Sequence, residues 1–273
     1  MNTNLAKLKK LANTIRQDIL KISHHGSIGH IGSAYSVTDI LTTIYFSVAN
    51  VYPKKPNSPN RDRIVLSKGH SCAALYSILY RKGFISKKTL FTYHLNDTKL
   101  AAHPKVSLPG VDASTGSLGH GLSLASGMAL AGKLDKKDYR VFAVLSDGEC
   151  DEGSTWEAAL VAAHQKLNNL TIIIDYNKIQ AFGRTNQVVN LEPFKQKWLS
   201  FGFRVLEING HSILQLLKSL SLASQSKTKP TVIIAHTILG KGISFMEDDL
   251  GWHYWNPSDE QLKKGLKELR KKI

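Results

Sequence analysis

"RVFAVLSDGECDEGSTWEAALVAAHQKLNNLTIIIDYNKI", residues 140–179, is the stretch that decides the fold. Arg140 to Leu145 and Leu170 to Asp175 read as short strands, and the segment between them has the apolar spacing of a helix. A strand–helix–strand unit of this length implies parallel pairing. Both strands are apolar on both faces, as happens when helices cover each side of a sheet. Working outward, "RIVLS" (Arg63 to Ser67), "FRVLEI" (Phe203 to Ile208) and "TVIIAH" (Thr231 to His236) continue the alternation of strand and helix. The expected architecture is therefore an α/β, doubly wound parallel sheet flanked by helices, in a single domain over 1–273. Leu5, Leu8, Leu11, Ile15, Ile19 and Ile22 recur at helical spacing and predict a first helix. Ser212 with Gln215, and Ser258 with Gln261, have the spacing of helix-start capping boxes, while "YPKKPNSPNRD" is a proline-rich loop.

In an open parallel sheet, ligands sit beyond the carboxyl ends of the strands. The loops that follow the predicted strands carry "SKGH" with His70, "SDGECDEG" with Asp147, "YNKI" with Asn177, and "TILGKG", which leads on to His253. Any one of these is an ordinary polar turn; together they point to a site. The interval from Asp147 to Asn177 contains one helix, so a carboxylate and a carboxamide fall on neighbouring strand ends. Those oxygens suit a hard cation such as Mg2+, whose remaining positions a backbone carbonyl and a diphosphate can fill. Gly148 allows close approach of an anion, and the helix beginning near Glu152 can turn amide groups toward negative charge.

The spacing from an Asp-Gly turn to an Asn resembles the signature of thiamine-diphosphate enzymes. "SIGHIGSAYSVTDILTTIYF", "SKGHSCAALYSILYRKG", "HPKVSLPGVDASTGSLGHGLSLASGMAL", residues 146–183 and "TILGKGISFMEDDLGWH" narrow the resemblance to the transketolase family, across nearly the whole chain and in family order. It implies that Asp147, Asn177 and the Ile179 carbonyl hold the metal, Mg2+ or alternatively Ca2+ or Mn2+. Gly148 and His70 would contact the diphosphate, Gly116 and Leu118 would line thiamine diphosphate, and His30, Asn177 and His253 would belong to its surround. His30, His103 and His253 would be catalytic, because imidazole exchanges protons near neutral pH. His24, His25, His94, His164, His211 and His236 are expected to be ordinary surface or core residues. Glu152 and Glu157 match a pair at a dimer contact, though each also serves as an acid near a helix start.

The implied activity is transfer of a two-carbon ketol unit between phosphorylated sugars. The resemblance matches the N-terminal subunit of a split transketolase, with the pyrimidine-binding and C-terminal domains, and a catalytic glutamate, on a partner chain in an α2β2 particle. Alternatives are a related thiamine-diphosphate-dependent transferase or synthase subunit for a different sugar, and a catalytically silent homologue. Three positions depart from the family pattern: Ser146 replaces Gly, His120 replaces Gln, and Tyr254 replaces Gly beside the substrate channel.

The composition is 42% hydrophobic and 21% charged, that of a globular chain, and no apolar run approaches the ~20 residues that span a bilayer. No membrane segment is expected. The net charge of +15 is spread over scattered Lys pairs without interleaved aromatics, so nucleic acid is not an expected partner. Cys72 and Cys150 lack metal-type spacing and suit a reducing, cytoplasmic setting.

Overall fold

A computed structural model describes residues 2–271; Met1, Lys272 and Ile273, which the single-domain expectation included, lie outside them. The helices are α1 (Asn2–His25), α2 (Ile31–Ser36), α3 (Thr38–Thr43), α4 (Cys72–Lys82), α5 (Lys87–Leu90), α6 (Gly121–Leu134), α7 (Gly153–His164), α8 (Thr185–Val188), α9 (Phe194–Ser200), α10 (Ile213–Ser224) and α11 (Asp259–Lys271). Five parallel strands form the main sheet: β1 (Arg63–Leu66), β2 (Val141–Ser146), β3 (Leu170–Tyr176), β6 (Arg204–Asn209) and β7 (Thr231–His236), in the order β1-β2-β3-β7-β6. A two-residue ladder, β4 (Ile179–Gln180) with β5 (Gly183–Arg184), follows β3.

Period-two alternation makes the sheet a shared wall between two cores. Phe142, Val144, Ile173 and Ile233 face a layer built from α1 to α4, α10 and α11, where Ile15, Ile19, Ile40, Leu75, Leu220 and Leu269 are buried. Val141, Ala143, Leu145, Ile172 and Ile234 face the opposite layer of α6, α7 and α9, with Leu122, Ala159 and Trp198. Every residue of β2 and β3 is buried, which is why their sequences carry no polar face. β6 has only part-buried and exposed positions, as an edge strand does.

The first helix and both predicted caps form. Leu8, Ile15, Ile19 and Ile22 are buried. Gln261 N donates to Ser258 Oγ at 3.3 Å, and Gln261 Oε1 accepts from Ser258 N at 2.9 Å. At α10 only half of the box is made, because the Gln215 amide oxygen accepts from Asn209 N at 2.9 Å and ties the helix to the end of β6. The helix expected near Glu152 begins at Gly153, after a 3-10 turn over Gly148–Asp151. Side chains of the first turn of α7 fasten that turn: Thr155 Oγ1 donates to Glu149 O at 2.9 Å and Trp156 Nε1 to Cys150 O at 2.8 Å.

Winding proceeds β1, β2, β3 in one direction and then returns from β6 to β7, so it reverses between β3 and β7. The register places Ser146 beside Asp175, and Asp175 beside Ala235, bringing three strand ends into one row.

Candidate active site

Beyond that row lies a cavity of about 320 Å3, lined by Lys68 and His70 after β1, Leu118 before α6, Ser146 to Gly148 after β2, Asn177 and Ile179 after β3, and His253 near the carboxyl terminus. Its floor is a buried charge network. Asp175 accepts hydrogen bonds from Lys68 Nζ (2.5 Å) and Ser36 Oγ (2.5 Å) on one oxygen and from the Thr237 hydroxyl on the other. Asn177 Nδ2 leans on Ser36 Oγ at 3.4 Å while its Oδ1 accepts from Ile179 N at 3.0 Å, so the carboxamide orientation is set from both ends.

Asp147 is fully buried. Its two oxygens accept from Gly148 N (2.8 Å) and Lys178 N (2.5 Å). Burial pushes its carboxyl up to about 7, the Asp175 carboxylate adds to that rise, and the Gly148 hydrogen bond opposes it. A carboxylate oxygen has two lone-pair positions, so each Asp147 oxygen keeps acceptor capacity. A buried, electrostatically undercompensated carboxylate beside a carboxamide oxygen is a donor set that fits a hard divalent cation. Asp147, Asn177 and Ile179, the three positions predicted to bind metal, all line the cavity, as do Gly148, His70 and Leu118 from the predicted cofactor set.

Three histidines meet at the other side. Ring centroids are 5.2 Å apart for His30 and His253, 5.3 Å for His30 and His70, and 5.7 Å for His70 and His253. Burial, then the charges of His30 and Lys68, bring the His253 imidazole down to about 4. Burial and Lys68 hold His70 well below its usual value, and burial followed by His103 lowers His30. All three are therefore neutral at pH 7. Nδ1 of His30 and Nδ1 of His253 are buried without a hydrogen-bond partner. His30 stands in a left-handed conformation (φ 60°), and its amide donates to His253 O at 3.1 Å, so strained backbone holds the two rings together. His70 Nε2 shares a hydrogen bond with Ser33 Oγ at 3.0 Å.

The His103 imidazole packs against Gly116, and none of His30, His103 and Gly116 forms part of the cavity wall. Tyr254 is 55% exposed, with its ring 5.1 Å from that of His253 and 5.9 Å from that of His30. His120 is exposed, with Nδ1 3.1 Å from Leu118 O. Glu152, just before α7, and Glu157, on it, are both exposed; Glu152 borders the cavity, and Glu157 lies in a shallow depression between α6 and α7. Among the histidines expected to be ordinary, His211 bridges Asp39 Oδ2 (2.8 Å) and Ile238 N (2.9 Å), His24 meets Asp259 (2.7 Å), and His236 meets Glu207 (2.7 Å). Lys68, Asp175 and Glu149 escaped the sequence reading, although a lysine before the "GH" pair and an acid closing an apolar strand were its visible traces.

A family model described as transketolase, thiamine diphosphate binding domain, matches residues 7–267. The chain is 40% identical over 258 residues to a subunit of apulose-4-phosphate transketolase from Phocaeicola vulgatus, covering 94% of this chain and 92% of that protein. It is 38% identical to 6-deoxy-6-sulfo-D-fructose transketolase subunit SqwG of a Clostridium species, with 99% of each covered. A crystal structure of Campylobacter jejuni transketolase superposes with a TM-score of 0.92 at 34% identity over 96% of this chain, which spans only 42% of that longer protein.

Proposed function

The chain belongs to the thiamine-diphosphate-binding domain family of transketolases, and from that premise we propose that it is one half of a two-chain transketolase that moves a two-carbon ketol unit from a ketose phosphate to an aldose phosphate. The observation that carries this reading is one cavity holding Asp147, Asn177, His70 and His253, with the His30 ring packed against the two histidines.

Asp147, Asn177 and the Ile179 carbonyl would hold Mg2+, or Ca2+ or Mn2+ in its place, and through it the diphosphate of thiamine diphosphate. When bound, that cofactor supplies the electron sink for cleaving a carbon–carbon bond. Gly148 leaves room for the diphosphate, His70 donates to it, and Leu118 packs against the body of the cofactor. His30 and His253 accept or return a proton as a sugar hydroxyl becomes a carbonyl or the reverse. His103, at the rim over Gly116, meets the sugar outside the cavity. Relatives of the same length are named as transketolase subunits, which supports a separate chain carrying the pyrimidine-binding domain and catalytic glutamate. The net charge of +15 suits an acidic partner surface or phosphorylated sugars in the cytoplasm, and we infer no nucleic-acid partner. The exposed apolar face of α6 and α7, with Glu152 and Glu157 beside it, fits a second copy in an α2β2 particle.

A different sugar is the second reading, favoured by Tyr254 at the mouth and by the two sugars named for the relatives. The test is calorimetric titration of thiamine diphosphate with Mg2+ into the chain, alone and with any chain that co-purifies, followed by ketol transfer from xylulose 5-phosphate. Asp147→Ala and Asn177→Ala each delete a metal oxygen and should abolish cofactor retention; normal affinity in either would remove the assignment. His103→Ala and His253→Ala should bind cofactor and slow turnover. Binding without turnover would turn the search to other donors, and no binding in any state would mark a silent homologue.

A further inference from the structure

Glu149 is fully buried beneath the cavity and does not line it. One carboxylate oxygen accepts from the Ser67 hydroxyl and from Gly119 N (2.9 Å), and the other from Ser146 N at 3.4 Å. These donors come from three segments far apart in sequence: the turn after β1, the loop before α6, and the end of β2. Each adjoins or belongs to the cavity wall, through Lys68, Leu118 and Ser146 respectively.

Burial alone disfavours this carboxylate and raises its pKa. Placing an anion under a site that receives a diphosphate adds repulsion, so the residue is costly unless its hydrogen bonds do something no apolar side chain can. Gly119 shows what they do. Its N–H is held by Glu149 and its C=O by Ser154 Oγ at 3.1 Å. It has φ +83°, and a Cβ there would collide with Ser154 Oγ and come within 2.8 Å of Glu152 Cβ. The loop carrying Gly116 and Leu118 is therefore pressed onto the start of α7 and pinned from below.

We propose that Glu149 is a positioning residue that fixes Leu118, on the loop before α6, at a set distance from the Asp147–Gly148 turn, so that the two grip opposite ends of one ligand. That the ligand is thiamine diphosphate rests on the reading above. Glutamine cannot substitute: with its oxygen kept on Ser67 and Gly119, its amide N–H faces the Ser146 N–H, and flipping it loses both other donors. Aspartate is one methylene too short to reach Gly119.

The test compares Glu149→Gln with the parent chain, together with any chain that co-purifies, in three measurements: amide hydrogen exchange at Gly119, affinity for thiamine diphosphate with saturating Mg2+, and affinity for inorganic pyrophosphate with the same metal. In either orientation the glutamine amide sets an N–H against a buried N–H and loosens the three-donor clasp, so Gly119 exchange should speed and thiamine diphosphate should weaken by roughly tenfold each. Pyrophosphate, which reaches only the metal end, should bind within about twofold of normal. Unchanged Gly119 exchange, unchanged thiamine diphosphate affinity, or equal loss of both ligands would overturn the proposal, the last because general loosening does not discriminate between ends. If the parent chain binds neither ligand, the cofactor reading fails while Gly119 exchange still decides whether the pin exists. Should Glu149→Gln not fold, Ser67→Ala removes one donor and should shift exchange and cofactor affinity the same way by a smaller factor; no shift overturns the proposal.

Discussion

Lys68 has no solvent exposure, and its ammonium meets Asp175 at 2.5 Å with no solvent around either group. Removing one member of such a pair strands the other charge, at a cost of about 3–5 kcal/mol. Lys68→Met should therefore lower the melting temperature sharply, and adding Asp175→Asn should recover most of the loss, because a neutral carboxamide can still accept from Thr237. A double variant no more stable than the single would show that the ammonium acts elsewhere. His253 makes a pH prediction. In the unfolded chain it takes up a proton near pH 6.5, whereas in the fold it stays neutral down to about 4, since burial, His30 and Lys68 oppose its charge. The unfolded state then binds more protons in that window, so this residue leaves stability untouched above about pH 6.5 and erodes it progressively as pH falls toward 4. The melting temperature of His253→Gln, measured across the same range, should fall less steeply than that of the parent. Asp147, Asn177, His70 and His253 were legible in the sequence because each follows a recognisable strand. The Lys68–Asp175 pair was not, since its members lie 107 residues apart and meet only once strand order is known.

At the scale of elements, strand positions agree with the periodic pattern to within a residue or two, because β2 and β3 are continuously apolar and bounded by turn residues. The short pieces were less readable. The break between α2 and α3 and the 3-10 turn after Asp147 depend on packing against neighbours, which a local pattern does not encode. The α11 cap was readable, and it has a measurable worth. Ser258→Ala removes the acceptor for Gln261 N and should cost about 1 kcal/mol in denaturant unfolding. A loss near zero would mean that α11 is held by its tertiary contacts instead, among them Leu269 in the core and its carbonyl, which accepts from Asn13 Nδ2 at 2.6 Å.

For the whole molecule, the outer face of α6 and α7 presents Leu124 (44% exposed), Leu160 (59%) and Val161 (53%) around Gly127. Apolar side chains clustered on one face mark an association surface. If this face pairs two copies, Leu160→Glu with Val161→Glu should halve the mass seen by sedimentation while leaving the fold's circular dichroism intact; an unchanged mass would rule this face out as the self-association surface. The sequence placed Glu157 near this surface only through family resemblance, since nothing in one helix's pattern says which exposed apolar residues another chain will cover. The strand order has a consequence for synthesis as well. Among the described residues β7 is the last strand in chain order, yet it lies between β3 and β6. While the chain is still emerging from the ribosome, β3 therefore has an open edge and β6 has no neighbour to pair with. Only when His236 has left the exit tunnel can the sheet close, and His253 comes later still. Until those segments have emerged the candidate site is incomplete and β3 offers an unpaired edge, so slow decoding of the 210–236 stretch would lengthen that exposure.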